Sequence, residues 1–173
     1  MIKIKKSTWL TAVRVLLACL IAANLLMIFS FSLQDSKASS DSSLAVTKVV
    51  ANATVEGYPQ MSYEEKSNVY AGIEGTIRKC AHMAEFGSLG ALILLLLLTW
   101  KDRIVTKYGI ALAAVFATAG LDELTQKFVE GRSSQFKDVL IDFSGALISC
   151  TVLLGITLLI HRHSAKKHAK GEE

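Results

Sequence analysis

The stretch Tyr108-Gly-Ile-Ala-Leu-Ala-Ala-Val-Phe-Ala-Thr-Ala-Gly-Leu121 runs without a charge into Asp122-Glu123-Leu124-Thr125-Gln126, and its length decides the fold. Its fourteen residues cover about 21 Å at ~1.5 Å per residue, against roughly 30 Å of bilayer hydrocarbon. A spanning helix here must take in neighbours. Extending it backwards brings in Lys107, and extending it forwards brings carboxylates to membrane depth. An isolated ionisable group there costs about 2.5–3.5 kcal/mol even on the lenient insertion scale, so such groups mark function or mutual pairing. The same thing happens at two other places. Arg78, His82 and Glu85 open one apolar run, and Asp138 and Asp142 open another.

The whole composition agrees with a membrane reading. Of 173 residues, 51% are hydrophobic and one is proline, and the mean hydropathy is +0.41. This points to one small polytopic all-α membrane domain over 1–173 rather than a soluble core. A net charge of +4 does not point to nucleic acid, because no basic stripe with interleaved aromatics occurs. Cys19, Cys80 and Cys150 lie in separate apolar segments without metal or disulfide spacing, and read as small buried hydrophobes.

Four spans follow: about 9–31, 80–100, 105–127 and 138–160. The first follows Lys3, Lys5 and Lys6 and is too long for the ~7–15-residue core of a signal peptide, so it reads as an uncleaved span. Arg14 near its start is placed to snorkel. Lys101, Arg103 and Lys107 crowd one short connector, and Arg162, Lys166, Lys167 and Lys170 fill the tail 161–173. By the positive-inside rule both termini are cytoplasmic. Trp9, Trp100 and Tyr108 then anchor the inner interface, and all three polar ends face outward. The outer segment 32–79 begins serine-rich, read as a loop through Ser43. Leu44 to Val55 reads as an amphipathic or re-entrant helix on the outer surface. Ser62-Tyr63-Glu64-Glu65 fits a capping box, opening a helix loosened at Gly72 and Gly75.

The polar ends share helical faces: Arg78, His82, Glu85 and Leu89 on the second span; Thr118, Asp122 and Gln126 on the third; Asp138, Asp142, Gly145 and Ser149 on the fourth. Polar groups in spans turn to the bundle interior, so the three faces converge on one outward pocket. Gly87, Gly90, Ala91 and Gly145 let the helices come close. In the connector, Gly131 suits a left-handed helix end and Ser133 or Ser134 the next N-cap. Arg132 at its tip is placed to fold over the pocket and pair with a carboxylate or a phosphate. The candidate ligand-binding set is Arg78, His82, Glu85, Asp122, Glu123, Gln126, Arg132, Asp138 and Asp142. His82, Glu85, Asp122 and Glu123 are the candidates for any catalysis. The tail histidines His161, His163 and His168 read as solvated.

The combined spacing Arg78-Lys79-x-x-His82-x-x-Glu85-Phe86, Asp122-Glu123-x-x-Gln126-x-Phe128-x-x-Gly131-Arg132 and Asp138-Val139-x-x-Asp142-x-x-Gly145 resembles the VanZ-like family. Phe29-Ser30-Phe31-Ser32-Leu33-Gln34 is similar to that family's ending of the first span. The resemblance covers roughly residues 25–160. Two positions depart from it, Phe86 where Tyr is frequent and Asp142 where Asn is. It implies a multi-pass protein of the bacterial cell membrane, in a family named for resistance to the glycopeptide teicoplanin. The expected function is an envelope protein whose pocket binds or modulates a lipid or cell-wall precursor headgroup. The alternative is an integral membrane hydrolase or transferase acting on an envelope lipid by acid/base or metal-assisted chemistry. No cofactor or metal-ligand set is expected for the first reading, and a divalent metal belongs to the second. Nucleotide and nucleic-acid partners are not expected, since no phosphate-cradling glycine loop occurs.

Overall fold

The computed structural model describes residues 6–132 and 134–170. Among these, all regular structure is helical: α1 (Lys6–Ser32), α2 (Ser36–Thr54), a short 3-10 turn (Tyr58–Gln60), α3 (Tyr63–Leu98), α4 (Ile104–Gln126) and α5 (Phe136–Lys170). Of these, α1, α3, α4 and α5 are long and apolar enough to cross a membrane. Their sequences are rich in Leu and Ala, the strongest helix formers, and the lone proline stands in the 3-10 turn, where its fixed φ does no damage.

α4 does take in Lys107, which is only 6% exposed. Its Nζ donates to the Trp100 carbonyl at 2.6 Å, one of the carbonyls left without a helical partner beyond α3. Arg14 reaches the same place from α1. Its Nε and Nη2 donate to the Thr99 hydroxyl and carbonyl, each at 2.9 Å, and its guanidinium lies 4.4 Å from the Trp100 ring centroid. Arg14 therefore has fixed partners in place of the snorkelling expected from sequence. Two cations satisfy and electrically complement one helix C-terminus.

The core lies where α3 crosses α5. Ile28, Phe86, Leu89, Val115, Ala119, Val139 and Ala146 form one buried cluster, and Leu94, Ala111 and Cys150 a second one farther along. The helices touch backbone to backbone at Gly87 and Gly145. A Cβ on Gly87 would lie 3.2 Å from the Gly145 carbonyl oxygen, and one on Gly145 would run into the Met83 carbonyl. Ser149 adds a hydroxyl bond to the Gly87 carbonyl at 2.7 Å. Phe86, fully buried in this apolar cluster, has no need of the hydroxyl a tyrosine would bring.

The segment between α1 and α3 departs from the sequence reading. The serine-rich start is helical, not a loop, because Asp35 caps it (Ala38 N–H at 2.7 Å) and serine hydroxyls bond back to carbonyls. Ser39, Ser43, Thr47 and Ala51, spaced by four, are its buried stripe, and small side chains let α2 lie close on α3. Val46 and Val49 point out instead. The capping box at Ser62 and Glu65 forms as expected, and α3 then runs unbroken through Gly72 and Gly75. Of the three cysteines only Cys150 is buried; Cys19 and Cys80 lie on the outside of the bundle.

Candidate functional site

The polar residues of α3 lie where that helix meets α2, α4 and α5. Arg78 pairs with Glu74 one turn back, at 3.4 Å, and Glu74 also accepts the Ser40 hydroxyl from α2 at 2.7 Å. Lys79 reaches Asp138 on α5 at 3.0 Å. One turn on, His82 Nδ1 lies 3.7 Å from Glu85 Oε2, too far for a hydrogen bond, and both atoms are buried without one.

α4 supplies the deepest groups. Asp122 is fully buried, with Oδ2 accepting from Gln126 Nε2 at 2.9 Å and Oδ1 unpartnered. Glu123, 5% exposed, turns the other way and accepts the Gln135 backbone N–H at 2.5 Å, just before α5 begins. The two adjacent carboxylates thus serve different neighbours, as their opposed directions required. α4 ends at Gln126, so Gly131 is not its cap; it takes the left-handed conformation (φ 72°) inside the connecting turn. Of the two serines read as N-caps, Ser133 lies outside the described residues and α5 starts at Phe136.

Arg132 folds back over these groups as expected, but its partners are different. Nε donates to the Gln34 carbonyl (3.2 Å), Nη2 to the Phe31 carbonyl (3.1 Å) and Nη1 to Gln126 Oε1 (3.4 Å). Burial holds its guanidinium below the usual arginine value, and Arg78 acts the same way while Asp122 and Glu123 oppose. It remains a cation at any working pH.

A cavity of about 300 Å³ collects these side chains. It is lined by Arg78, His82, Glu123, Gln126, Arg132, Asp138 and Asp142, with Lys79, Gln135 and Gly131 among the rest. Seven of the nine ligand candidates therefore line one space. Asp122 lies behind its wall, within 4.8 Å of His82 and Asp142 when their ligand atoms are compared. Glu85 belongs to a second space of about 640 Å³ between α2 and α3, bounded by Val46, Val50, Ile73, Ile77, Ala81 and Phe31. Arg78, His82 and Arg132 line both. A polar chamber and an apolar groove thus meet across a wall that carries two guanidinium groups.

Several contributors escaped the sequence reading. Ser32, fully buried, accepts from Gln126 at 3.4 Å, and the carbonyls of Phe31 and Gln34 take Arg132. The segment Phe29 to Gln34 was noticed only as a family likeness, because backbone acceptors leave no residue signature. Glu74 was legible in principle, being four residues before Arg78 on the same face.

A protein-family model described as VanZ/LLP1 matches residues 14–160. No curated protein and no solved structure matches the chain.

Proposed function

The chain belongs to the VanZ-like family, and from that premise we propose that it is a multi-pass protein of the bacterial cell membrane whose polar cavity, facing away from the cytoplasm, binds the anionic headgroup of a membrane lipid or cell-wall precursor. The observation that supports this most is the shared wall. An amphiphile needs a polar chamber and an apolar groove side by side, and Arg78 and Arg132 line both spaces here. Guanidinium groups suit phosphate, to which they donate in pairs. The groove takes the first part of a chain. The carboxylates beyond, Glu123, Asp138 and Asp142, suit amines or sugar hydroxyls on the same head. A bound head at the outer surface alters how the envelope meets glycopeptides such as teicoplanin, a link that comes from the family resemblance.

The test uses purified protein and two vesicle compositions, phosphatidylcholine alone and phosphatidylcholine with phosphatidylglycerol. Native mass spectrometry should show retained phosphatidylglycerol in preference to phosphatidylcholine. Arg78→Gln should weaken that preference about 10- to 100-fold, the worth of one charge-assisted hydrogen bond (about 1.5–3 kcal/mol). Equal retention of both lipids by the folded protein sinks the reading. Release of a water-soluble headgroup from the vesicles would instead favour the hydrolase alternative, for which His82 and Asp122 are the first residues to replace.

A further inference from the structure

Beneath the polar cavity, three side chains from three helices aim at one point. His82 from α3, Asp122 from α4 and Asp142 from α5 each offer a ligand atom, and these atoms lie within 4.8 Å of one another. Their surroundings leave them unsatisfied. Asp122 is fully buried with Oδ1 unpartnered, and His82 Nδ1 is buried without a hydrogen bond. Asp142 is 4% exposed and lines the cavity. Among the described residues its carboxylate has no hydrogen-bond or ion-pair partner. A buried carboxylate without a cation beside it is strongly unfavourable, and here two stand together, Asp122 held only by the Gln126 amide.

The neighbouring cations do not fill this role. Arg78 is paired with Glu74 and Lys79 with Asp138, while Arg132 donates to two backbone carbonyls and Gln126. Glu85 and Glu123 add further carboxyl groups nearby, and no cation. The deepest point of the site is therefore the one with the least compensation.

We propose that His82, Asp122 and Asp142 bind a divalent cation at the floor of the polar cavity. One imidazole and two carboxylates are the donor set of first-row ions such as Zn²⁺ or Mn²⁺, and imidazole disfavours Ca²⁺. Donors around a tetrahedral ion at ~2.1 Å stand about 3.4 Å apart, so a cluster whose ligand atoms lie within 4.8 Å must close by about 1 Å to hold the ion. Gln126 donates to the other oxygen of Asp122, as an outer-shell partner does for a metal ligand. Three protein ligands leave at least one position open, and two of them, His82 and Asp142, line the cavity. This inference does not rest on the lipid reading. It concerns the ion with these three side chains and is measured with no lipid added.

The full-length protein, purified in detergent without chelator, is analysed for bound metal and for thermal unfolding as Zn²⁺ or Mn²⁺ is titrated. The expected result is about one ion per chain, a melting temperature that rises with the ion, and reversal by chelator. Asp122→Asn and Asp142→Asn should each weaken binding at least tenfold, whereas Glu64→Gln, exposed in the first turn of α3, and the double variant His161→Ala/His163→Ala should not. If either Asp variant fails to fold, Mn²⁺ paramagnetic resonance on the wild-type protein decides, with nitrogen coupling from one imidazole expected in the His161→Ala/His163→Ala background. Absence of bound ion together with no thermal response at millimolar metal overturns the proposal. So does binding that persists in folded Asp122→Asn and Asp142→Asn proteins, or that disappears with the tail histidines.

Discussion

Asp122 and Glu123 are sequence neighbours with opposite occupations, and the difference can be measured. The Glu123 carboxylate accepts the Gln135 N–H at the start of α5, a task an amide oxygen also performs. Glu123→Gln should therefore unfold within about 1 kcal/mol of wild type, whereas Glu123→Leu should cost about 1–3 kcal/mol by orphaning that N–H. Equal melting temperatures for the two variants would show that the N–H finds another acceptor. Among the described residues Asp122 accepts from Gln126 and from no backbone donor, with His82 and Asp142 beside it. The sequence made both carboxylates conspicuous through the shortness of the run before them. It did not separate them, because direction around a helix becomes meaningful only when the neighbours are known.

The α3–α5 crossing depends on the absence of side chains. Gly145→Ala places a methyl against the Met83 backbone carbonyl, which cannot rotate away, and should destabilise by about 1–3 kcal/mol. Gly155→Ala on the same helix meets nothing within 4 Å and should be neutral or gain up to about 1 kcal/mol from helix propensity. Thermal unfolding in one detergent compares them directly. At the N-terminus of α3, Ser62→Ala removes half of the capping box and should cost about 0.5–2 kcal/mol. These devices were readable beforehand, since caps and small-residue faces are local patterns. The length of α2 was not. Its serine stretch has weak intrinsic helix preference, and what makes it helical is the cap at Asp35 and the close fit of Ser39, Ser43 and Thr47 against α3. Tertiary context overrides propensity there.

At the scale of the whole molecule, the four spans and the convergence of the three polar faces were legible because each rests on periodicity and length. The partners of Arg132 were not, since two of them are carbonyls nearly a hundred residues away along the chain. The proposed orientation in the bilayer rests on loop charge and is open to direct measurement. With Cys19 and Cys80, both exposed, first replaced by Ala, Glu130→Cys in the α4–α5 turn should react with a membrane-impermeant maleimide on intact cells. Asp102→Cys should react only after permeabilisation, and the reverse pattern would invert the topology. The glycine contact has a mechanical consequence as well. It lies about one helical turn beyond His82 and Asp142, so the floor of the chamber should be stiffer than its rim. Admission of anything bulky then falls to α2 and to the turn holding Arg132, whose tethers to Phe31 and Gln34 work as a latch. Amide exchange should be slow around Met83 to Gly90 and fast across 127–132, giving the chamber a rigid base beneath a hatch.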